Sequence, residues 1–145
     1  MEEEYSIRSL LWSSPLMQKA LALRFEVFVN EQNVPQDLEI DDDDQVAFHM
    51  LMLKGEEAIA TLRLLPYGES IKIGRVAVGR DWRMKGLGTR LMQQAIEHAI
   101  RGEFRDAILD AQLDSIPFYE KLGFKVEGEV FMDAGIPHKR MRFAL

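Results

Sequence analysis

The stretch from position 71 to position 100 changes its apolar period midway, and this change limits the folds open to the chain. Its first part, 71–78, is rich in β-branched residues and predicts a strand. Its last part, 87–100, repeats apolar residues every three or four positions and predicts an amphipathic helix. The apolar face of that helix comprises Leu87, Leu91, Met92, Ala95, Ile96, Ala99 and Ile100. A strand therefore leads into a helix through a short turn.

That turn carries the residues of an anion-binding site. It contains Arg80, Arg83, Lys85, Gly86 and Gly88. The first N–H groups of a helix lack intrahelical partners and lie at the positive end of its dipole, and glycine lets a bound group approach the backbone. These features predict a phosphate site. The alternative is an ordinary strand-to-helix turn whose basic side chains are only solvated.

The spacing of the turn excludes two common phosphate loops. A Walker A loop places Lys directly after its last Gly, whereas Lys85 here precedes Gly86. A dinucleotide-binding loop needs a third Gly where this chain has Leu91. The pattern that remains is Arg-x-x-Gly-x-Gly, from Arg83 to Gly88.

Length and composition bound the class of protein. A chain of 145 residues predicts one domain, 1–145, with a substantial core. The absence of cysteine excludes disulfides, thiolate metal sites and a cysteine nucleophile. A net charge of −6 argues against a nucleic-acid partner and suits a small or cationic one. The acidic N-terminus lacks a signal-peptide pattern and no apolar run could span a bilayer, so we expect a cytoplasmic protein without a membrane partner.

The remaining apolar patterns predict an α/β (α+β) fold with a single mixed, largely antiparallel sheet flanked by helices. A helix over 16–28 follows Ser13 or Ser14 as its cap, with Pro15 in its first turn. Helix 87–100 separates strand 71–78 from strand 107–111, so these two strands can lie parallel. The predicted strands are 5–11, 46–54, 58–66, 71–78, 107–111, 124–131 and 138–145, with a last helix over 115–123 and a turn over 133–137.

A polar segment, 30–45, ends in four consecutive aspartates and predicts a long loop. A calcium loop is disfavoured because the spacing does not match an EF-hand and no glycine occupies the sharp turn. A solvated charge run is the favoured interpretation, and an acidic rim that attracts a cationic partner is another.

Several motifs together resemble the GNAT acetyltransferase superfamily. They are the loop from Arg83 to Gly88 after strand 74–78, and the segment 118–124, which reads FYEKLGF. The segment 25–32 (FEVFVNEQ), followed by the aspartates 41–44, resembles a subgroup of small stand-alone bacterial members whose acceptor is generally unassigned, as do 110–112 and 133–138. The resemblance spans nearly the whole chain and agrees with the predicted order of elements.

The resemblance implies that acetyl-CoA binds, without a metal, in a V-shaped gap where strands 71–78 and 107–111 splay apart. Backbone groups of Val76, Ala77 and Val78 would pair with the pantetheine arm, and a bulge there would aim an N–H at the thioester carbonyl and stabilise the oxyanion. The pyrophosphate would lie on the loop formed by Arg83, Met84, Lys85, Gly86, Leu87, Gly88 and Thr89.

Tyr119 and Gln112 are two further candidates for the site. The resemblance implies that the Tyr119 hydroxyl protonates or hydrogen-bonds the leaving thiolate and also contacts the cofactor, whereas from the residues alone Tyr119 is a helix-packing aromatic. Gln112 lies seven residues before Tyr119, where many members have Asn. It keeps the amide but reaches one methylene further, and the subgroup resemblance places it at the site.

The general base stays open among Glu31, Asp41, Asp44, His49 and His138, and a structural role is the alternative for each. Glu31 is paired with Tyr119 as the catalytic candidate because it follows the first helix, where the family builds its acceptor site. The function implied is an N-acetyltransferase in which a small-molecule or peptide amine attacks acetyl-CoA directly in a ternary complex. A non-catalytic acyl-CoA-binding or sensing domain and a longer acyl donor are alternatives, and a homodimer is common in the family.

Overall fold

The structure is a computed structural model that describes residues 4–145. In this range the strands are β1 (Ser6–Leu10), β2 (Phe48–Lys54), β3 (Glu57–Tyr67), β4 (Ser70–Val78), β5 (Asp106–Gln112), β6 (Lys125–Asp133) and β7 (Ile136–Ala144). The α-helices are α1 (Met17–Arg24), α2 (Gln36–Glu39), α3 (Leu87–Arg101) and α4 (Ile116–Leu122). No helix within this range combines the length and the apolar composition needed to cross a membrane.

The seven strands form one sheet in the order β1-β2-β3-β4-β5-β7-β6. All neighbours pair antiparallel except β4 and β5, which pair parallel across the crossover through α3. This confirms the predicted mixed, largely antiparallel sheet flanked by helices. The parallel arrangement of β4 and β5 is confirmed as well.

The parallel pair opens along its length. β4 and β5 pair only at Ser70–Lys72 and Asp106–Ile108, and beyond Lys72 the two strands have no shared register. β4 keeps its pairing with β3, and β5 keeps its pairing with β7. The backbone of positions 73–78 therefore has no strand partner on the side that faces β5, which confirms the predicted splay.

Helices cover both faces of the sheet, and each strand contributes to both cores because successive side chains of a strand point to opposite faces. In β2, Met50 and Met52 belong to the core that α3 completes with Leu91 and Met92. Leu51 and Leu53 point to the opposite face, where the residues that pack on them include Met17 and Ala20 of α1. The four-residue step predicted for α3 places Leu87, Leu91, Ala95 and Ala99 in the core, and each is buried.

The first helix differs from its prediction. The α-helical part ends at Arg24, and Phe25–Glu31 continues as a π-helix. The apolar pattern of the sequence does not distinguish such a segment from an α-helix. The predicted cap is displaced too. α1 begins at Met17, whereas the Ser14 hydroxyl accepts a hydrogen bond from the Leu16 N–H in the turn before it.

Two loop predictions need correction. Segment 30–45 is partly helical, with α2 and a 3₁₀ turn at Asp42–Gln45, and the interpretation as a solvated charge run fails for Asp44, which is fully buried. Asp42 and Asp43 are exposed as expected. The turn before β7 is shorter than 133–137, because Ala134 and Gly135 both adopt positive φ, as a two-residue hairpin turn requires.

Candidate active site

A cleft of about 520 Å³ opens where β4 and β5 diverge. Its walls come from β4, β5, the start of β7 and the segment after α1, while α4 contributes Tyr119. Its polar lining includes Gln32, Arg75, Gln112, Tyr119 and His138, and Val76 lines it from β4. The cleft therefore brings Gln112 and Tyr119 together with part of the predicted β4 site.

A β-bulge interrupts β4 beside the cleft. Thr61 pairs with Ala77 but Arg63 pairs with Gly74, so β4 contains one residue more than β3 over this interval. Arg75 lies in the bulge with a left-handed backbone, at φ 52°. This confirms the bulge that the resemblance implied. It also re-aims the peptide groups around Val76, which lines the cleft.

The glycine loop ends at the N-terminus of α3. Gly86 precedes α3 in the left-handed conformation, at φ 76°. The Arg90 N–H donates to the Gly86 carbonyl at 3.2 Å, and the three amides before it, at 87–89, have no carbonyl one turn earlier in the helix. A Cβ at Gly88 would lie 3.4 Å from both the Phe118 ring and a Val78 methyl. The terminus therefore fits a pyrophosphate, with free donors and no side chain at Gly88.

Glu31 is bound to this loop. Its carboxylate accepts hydrogen bonds from both terminal nitrogens of Arg83, at 2.9 and 2.8 Å. The Arg83 Nε donates to the Val78 carbonyl at 2.9 Å. The hydrogen bond from Arg83 lowers the pKa of Glu31, which makes the carboxylate a weaker base. Neither Glu31 nor Arg83 is among the residues that line the cleft.

Tyr119 lies at the cleft with its ring packed into the core. Its exposed fraction is 8%, and the rings of Phe118 and Phe124 contact it edge-on at 5.0 and 6.1 Å between centroids. Burial raises the pKa of the Tyr119 hydroxyl, so the group stays protonated at neutral pH. It is therefore a hydrogen-bond donor rather than a strong acid.

Gln112 ends β5 and spans the cleft. Its Nε2 donates to the Gln32 Oε1 at 2.7 Å, which joins β5 to the segment after α1. The contact uses one of the two N–H donors of Gln112 and leaves its own carbonyl oxygen as an acceptor. The extra methylene relative to Asn lets the amide reach this partner.

Of the two candidate histidines for the base, only His138 lines the cleft. His138 pairs with Gln112 across the β5–β7 ladder and stacks on Phe131, with 5.9 Å between the ring centroids. Its Nδ1 lies 2.7 Å from the Ile136 carbonyl oxygen. A carbonyl only accepts, so Nδ1 carries the proton and Nε2 is the basic nitrogen of the neutral ring.

His49 lies elsewhere. It is 1% exposed, and its Nε2 donates to the Asp44 carbonyl at 2.9 Å. Burial lowers its pKa, and the residue is absent from the lining of the cleft. These contacts support a structural role for His49.

Asp41 and Asp44 belong to an ion-pair network that sequence reasoning missed. Asp44 binds the buried Arg24 at 2.8 Å and Arg63 at 3.0 Å, and Asp41 binds Arg63 at 2.7 Å. Hydrogen bonds from Arg24 lower the pKa of Asp44 to about 2, against the opposing effect of burial. The signal in the sequence was weak: Arg24 follows Leu23 on a helix, and Arg63 interrupts an apolar run. Within residues 4–145, no three His, Asp or Glu side chains are grouped so as to hold a metal ion.

Comparison with known proteins defines the class as CoA-dependent acyltransferases. The chain belongs to the acetyltransferase (GNAT) domain family, whose sequence model matches residues 14–145. A Bacillus subtilis protein, YjcF, carries the name of an uncharacterized N-acetyltransferase and is 36% identical over 126 residues, which are 86% of this chain and 90% of that protein.

Solved structures agree with the family. An acyl-CoA N-acyltransferase from Pseudomonas aeruginosa is 32% identical and superposes with a TM-score of 0.88, covering 97% of this chain and 100% of that one. The Escherichia coli protein ElaA is 31% identical with a TM-score of 0.86, covering 96% and 99%. The chain is therefore an N-acetyltransferase of the GNAT family, and its donor is an acyl-CoA.

Proposed function

We propose that the protein transfers the acetyl group of acetyl-CoA to an amine by direct attack, with donor and acceptor bound together. The observation that carries this proposal is the cleft itself. It places the unpaired side of β4, Tyr119 and His138 around one cavity. No covalent enzyme intermediate is required.

The donor would bind along β4 and the start of α3. The backbone of Val76, Ala77 and Val78 offers strand-like hydrogen bonds on the side that faces β5, and the amides at 87–89 offer donors to the pyrophosphate. Arg83, Met84 and Lys85 complete the loop, with Met84 and Lys85 exposed. The carbonyl oxygen of Gln112 is an acceptor for an amide N–H of the pantetheine arm.

Acetyl-CoA supplies a thioester whose carbonyl carbon accepts the amine nitrogen. The nitrogen–carbon bond forms and the carbon–sulfur bond breaks, while the amine proton passes to Nε2 of His138. A bulge N–H would stabilise the oxyanion, a contribution of about 3–4 kcal/mol. The Tyr119 hydroxyl would donate a hydrogen bond to the departing sulfur. The proton held by His138 then reaches the thiolate through solvent, which yields an amide and free CoA.

Among the five candidate bases, the contacts favour His138. Glu31 is held by Arg83, Asp41 and Asp44 by arginines, and His49 by the Asp44 backbone. We therefore propose that Glu31 positions the loop through Arg83 rather than taking the proton.

The charges around the cleft support a cationic acceptor. Three of its carboxylates are neutralised by ion pairs: Glu39 by Arg24, Asp41 by Arg63 and Asp110 by Arg140. Asp43 and Asp133 also line the cleft and have no ion pair within the described part of the chain. These two exposed carboxylates would attract an amine that carries a further positive charge.

A panel of amines tests the function through release of free CoA thiol from acetyl-CoA. We expect diamines and a lysine-containing peptide to give more turnover than neutral or acidic amines. Hexanoyl-CoA as the donor tests the longer-acyl alternative, because faster turnover with it would replace acetyl as the preferred group. CoA binding by calorimetry without turnover on any amine would replace catalysis with the binding or sensing role.

A further inference from the structure

We propose that Arg75 is a positioning residue that ties the C-terminal end of α2, together with Asp41, to the β4 bulge and so fixes the backbone that faces the thioester. The catalytic part of this inference rests on the proposed function. The coupling between the two segments does not, and it has its own test.

The backbone of Arg75 is held in a disfavoured conformation. Its φ of 52° lies in the left-handed region, which an arginine adopts only when its surroundings impose it. The extra residue of β4 falls at this point, between the pairs Arg63–Gly74 and Thr61–Ala77. A residue in the right-handed or extended region would rotate the adjoining peptide groups, and with them the N–H groups that reach the cleft.

The guanidinium of Arg75 supplies the restraint. Its Nε and Nη2 donate to the Glu39 carbonyl at 3.1 and 3.0 Å, and Nη2 also lies 3.3 Å from the Leu38 carbonyl. The same nitrogen is 3.2 Å from Oδ2 of Asp41. The contacts are mainly to backbone oxygens, so they fix the path of the segment as well as balancing charge.

The segment that Arg75 binds, from Leu38 to Asp41, is held in place by further ion pairs. Arg24, which is 1% exposed, binds the carboxylates of Glu39 and Asp44 at 2.6 and 2.8 Å. Arg63 binds Asp41 and Asp44 from β3. Three arginines thus bind the three carboxylates of Glu39, Asp41 and Asp44, and Arg75 is the arginine that belongs to β4. It transmits the position of this rigid network to the bulge.

Two substitutions of Arg75 separate the loss of its charge from the loss of its forked hydrogen-bond donors. Arg75→Gly keeps a residue that adopts positive φ freely but removes the guanidinium, whereas Arg75→Lys keeps a charge without the forked donors. Arg101→Ala is the matched control, because Arg101 is an exposed arginine of α3 whose ion pair with Glu97 lies at 3.9 Å.

Hydrogen exchange of the free protein tests the coupling. In Arg75→Gly we expect the rate of amide exchange to rise about tenfold in the peptides that cover 36–45 and also in those that cover 74–78. In Arg101→Ala we expect no change in either set. Unchanged exchange in either peptide of Arg75→Gly would overturn the proposal, whether or not the protein proves to be an enzyme.

Kinetics tests the consequence for catalysis. We expect Arg75→Gly and Arg75→Lys to lower kcat by about tenfold or more while KM for acetyl-CoA stays within about threefold, and methylguanidinium to restore part of the kcat of Arg75→Gly. An equal loss of acetyl-CoA affinity, or no rescue, would reduce Arg75 to a general structural role. Absence of turnover in the wild type would instead count against the proposed function, and the exchange result would still decide the coupling.

Discussion

Arg83 holds Glu31 through two hydrogen bonds of 2.9 and 2.8 Å, although 52 residues separate them in the chain. This pair joins the glycine loop to the end of the π-helix, and Arg83 also binds the last carbonyl of β4. The loop that fits the pyrophosphate is therefore fixed on two sides before any ligand binds.

This pair predicts the outcome of removing the Glu31 carboxylate. Glu31→Gln should change kcat by no more than about threefold, because the residue restrains the loop and does not face the cleft, while KM for acetyl-CoA shifts as Arg83 is released. Steady-state kinetics with Glu26→Gln as the control gives the comparison, since Glu26 is an exposed glutamate of the same segment. A large fall in kcat at constant KM would restore Glu31 as the base.

The strand, the loop and the helix proposed to bind the donor could be predicted as elements because their signals are local. Strand, loop and helix follow one another between 70 and 101, and each has its own period or glycine pattern. The predicted start of α3 at Leu87 is confirmed.

The contacts that join the segment 31–45 to the sheet could not be predicted in the same way, because they link residues far apart in the chain. Gln112 meets Gln32 across 80 positions, and Arg63 meets Asp44 across 19. No local period indicates that an aspartate in an acidic run will be buried against two arginines. The π-helical segment after Arg24 likewise has no apolar period that distinguishes it from an α-helix.

A charge placed on the helix terminus tests the pyrophosphate assignment. Gly88→Glu should weaken CoA binding by about 100-fold or more, because it adds a negative side chain where the free amides would meet phosphate. Its Cβ would meet Phe118 and Val78 at 3.4 Å, a tight contact that calls for only a small shift. Gln93→Glu adds the same charge to an exposed position two turns into α3 and should leave CoA binding unchanged. Calorimetry on both variants decides, and equal affinities would remove the pyrophosphate from this terminus.

Loss of the Tyr119 hydroxyl tests its place in the chemistry. Tyr119→Phe should lower kcat about tenfold or more, equivalent to about 1.4 kcal/mol of barrier, because the departing sulfur loses its hydrogen bond. CoA affinity should change little, since the ring packing with Phe118 and Phe124 is kept. Tyr67→Phe, at an exposed tyrosine outside the cleft, is the control. Equal turnover in the two variants would exclude Tyr119 from the reaction.

His138 can be tested with a variant that keeps a hydrogen-bonding side chain. His138→Asn should lower kcat about tenfold or more, because the proposed acceptor of the amine proton is lost and His138 is the only histidine among the described residues that lines the cleft. Added imidazole should restore part of the rate. His98→Asn, at a half-buried histidine that contacts Phe48 outside the cleft, should leave kcat unchanged. A water chain rather than His138 would be indicated if the two variants turned over equally.

The buried Asp44 gives the protein a defined sensitivity to acid. Its pKa is about 2 in the fold, compared with about 3.9 in an unfolded chain. Ionised Asp44 therefore contributes about 2–3 kcal/mol of stability, which is fully present at a pH above the unfolded pKa. That contribution is lost as the pH falls from about 5 to about 2, because the carboxylate that binds Arg24 and Arg63 must then take up a proton.

Denaturant unfolding across this pH range measures the effect. Asp44→Asn should be less stable than the wild type by about 3–5 kcal/mol at neutral pH, because Arg24 stays buried without one of its carboxylates. The difference should shrink by about 2–3 kcal/mol as the pH falls, since the wild type then loses the same charge. Asp42→Asn changes an exposed neighbour and should follow the wild type throughout. A stability gap that did not depend on pH would show that folding leaves the pKa of Asp44 unchanged, and a gap that widened as the pH fell would show that Asp44 is protonated in the fold.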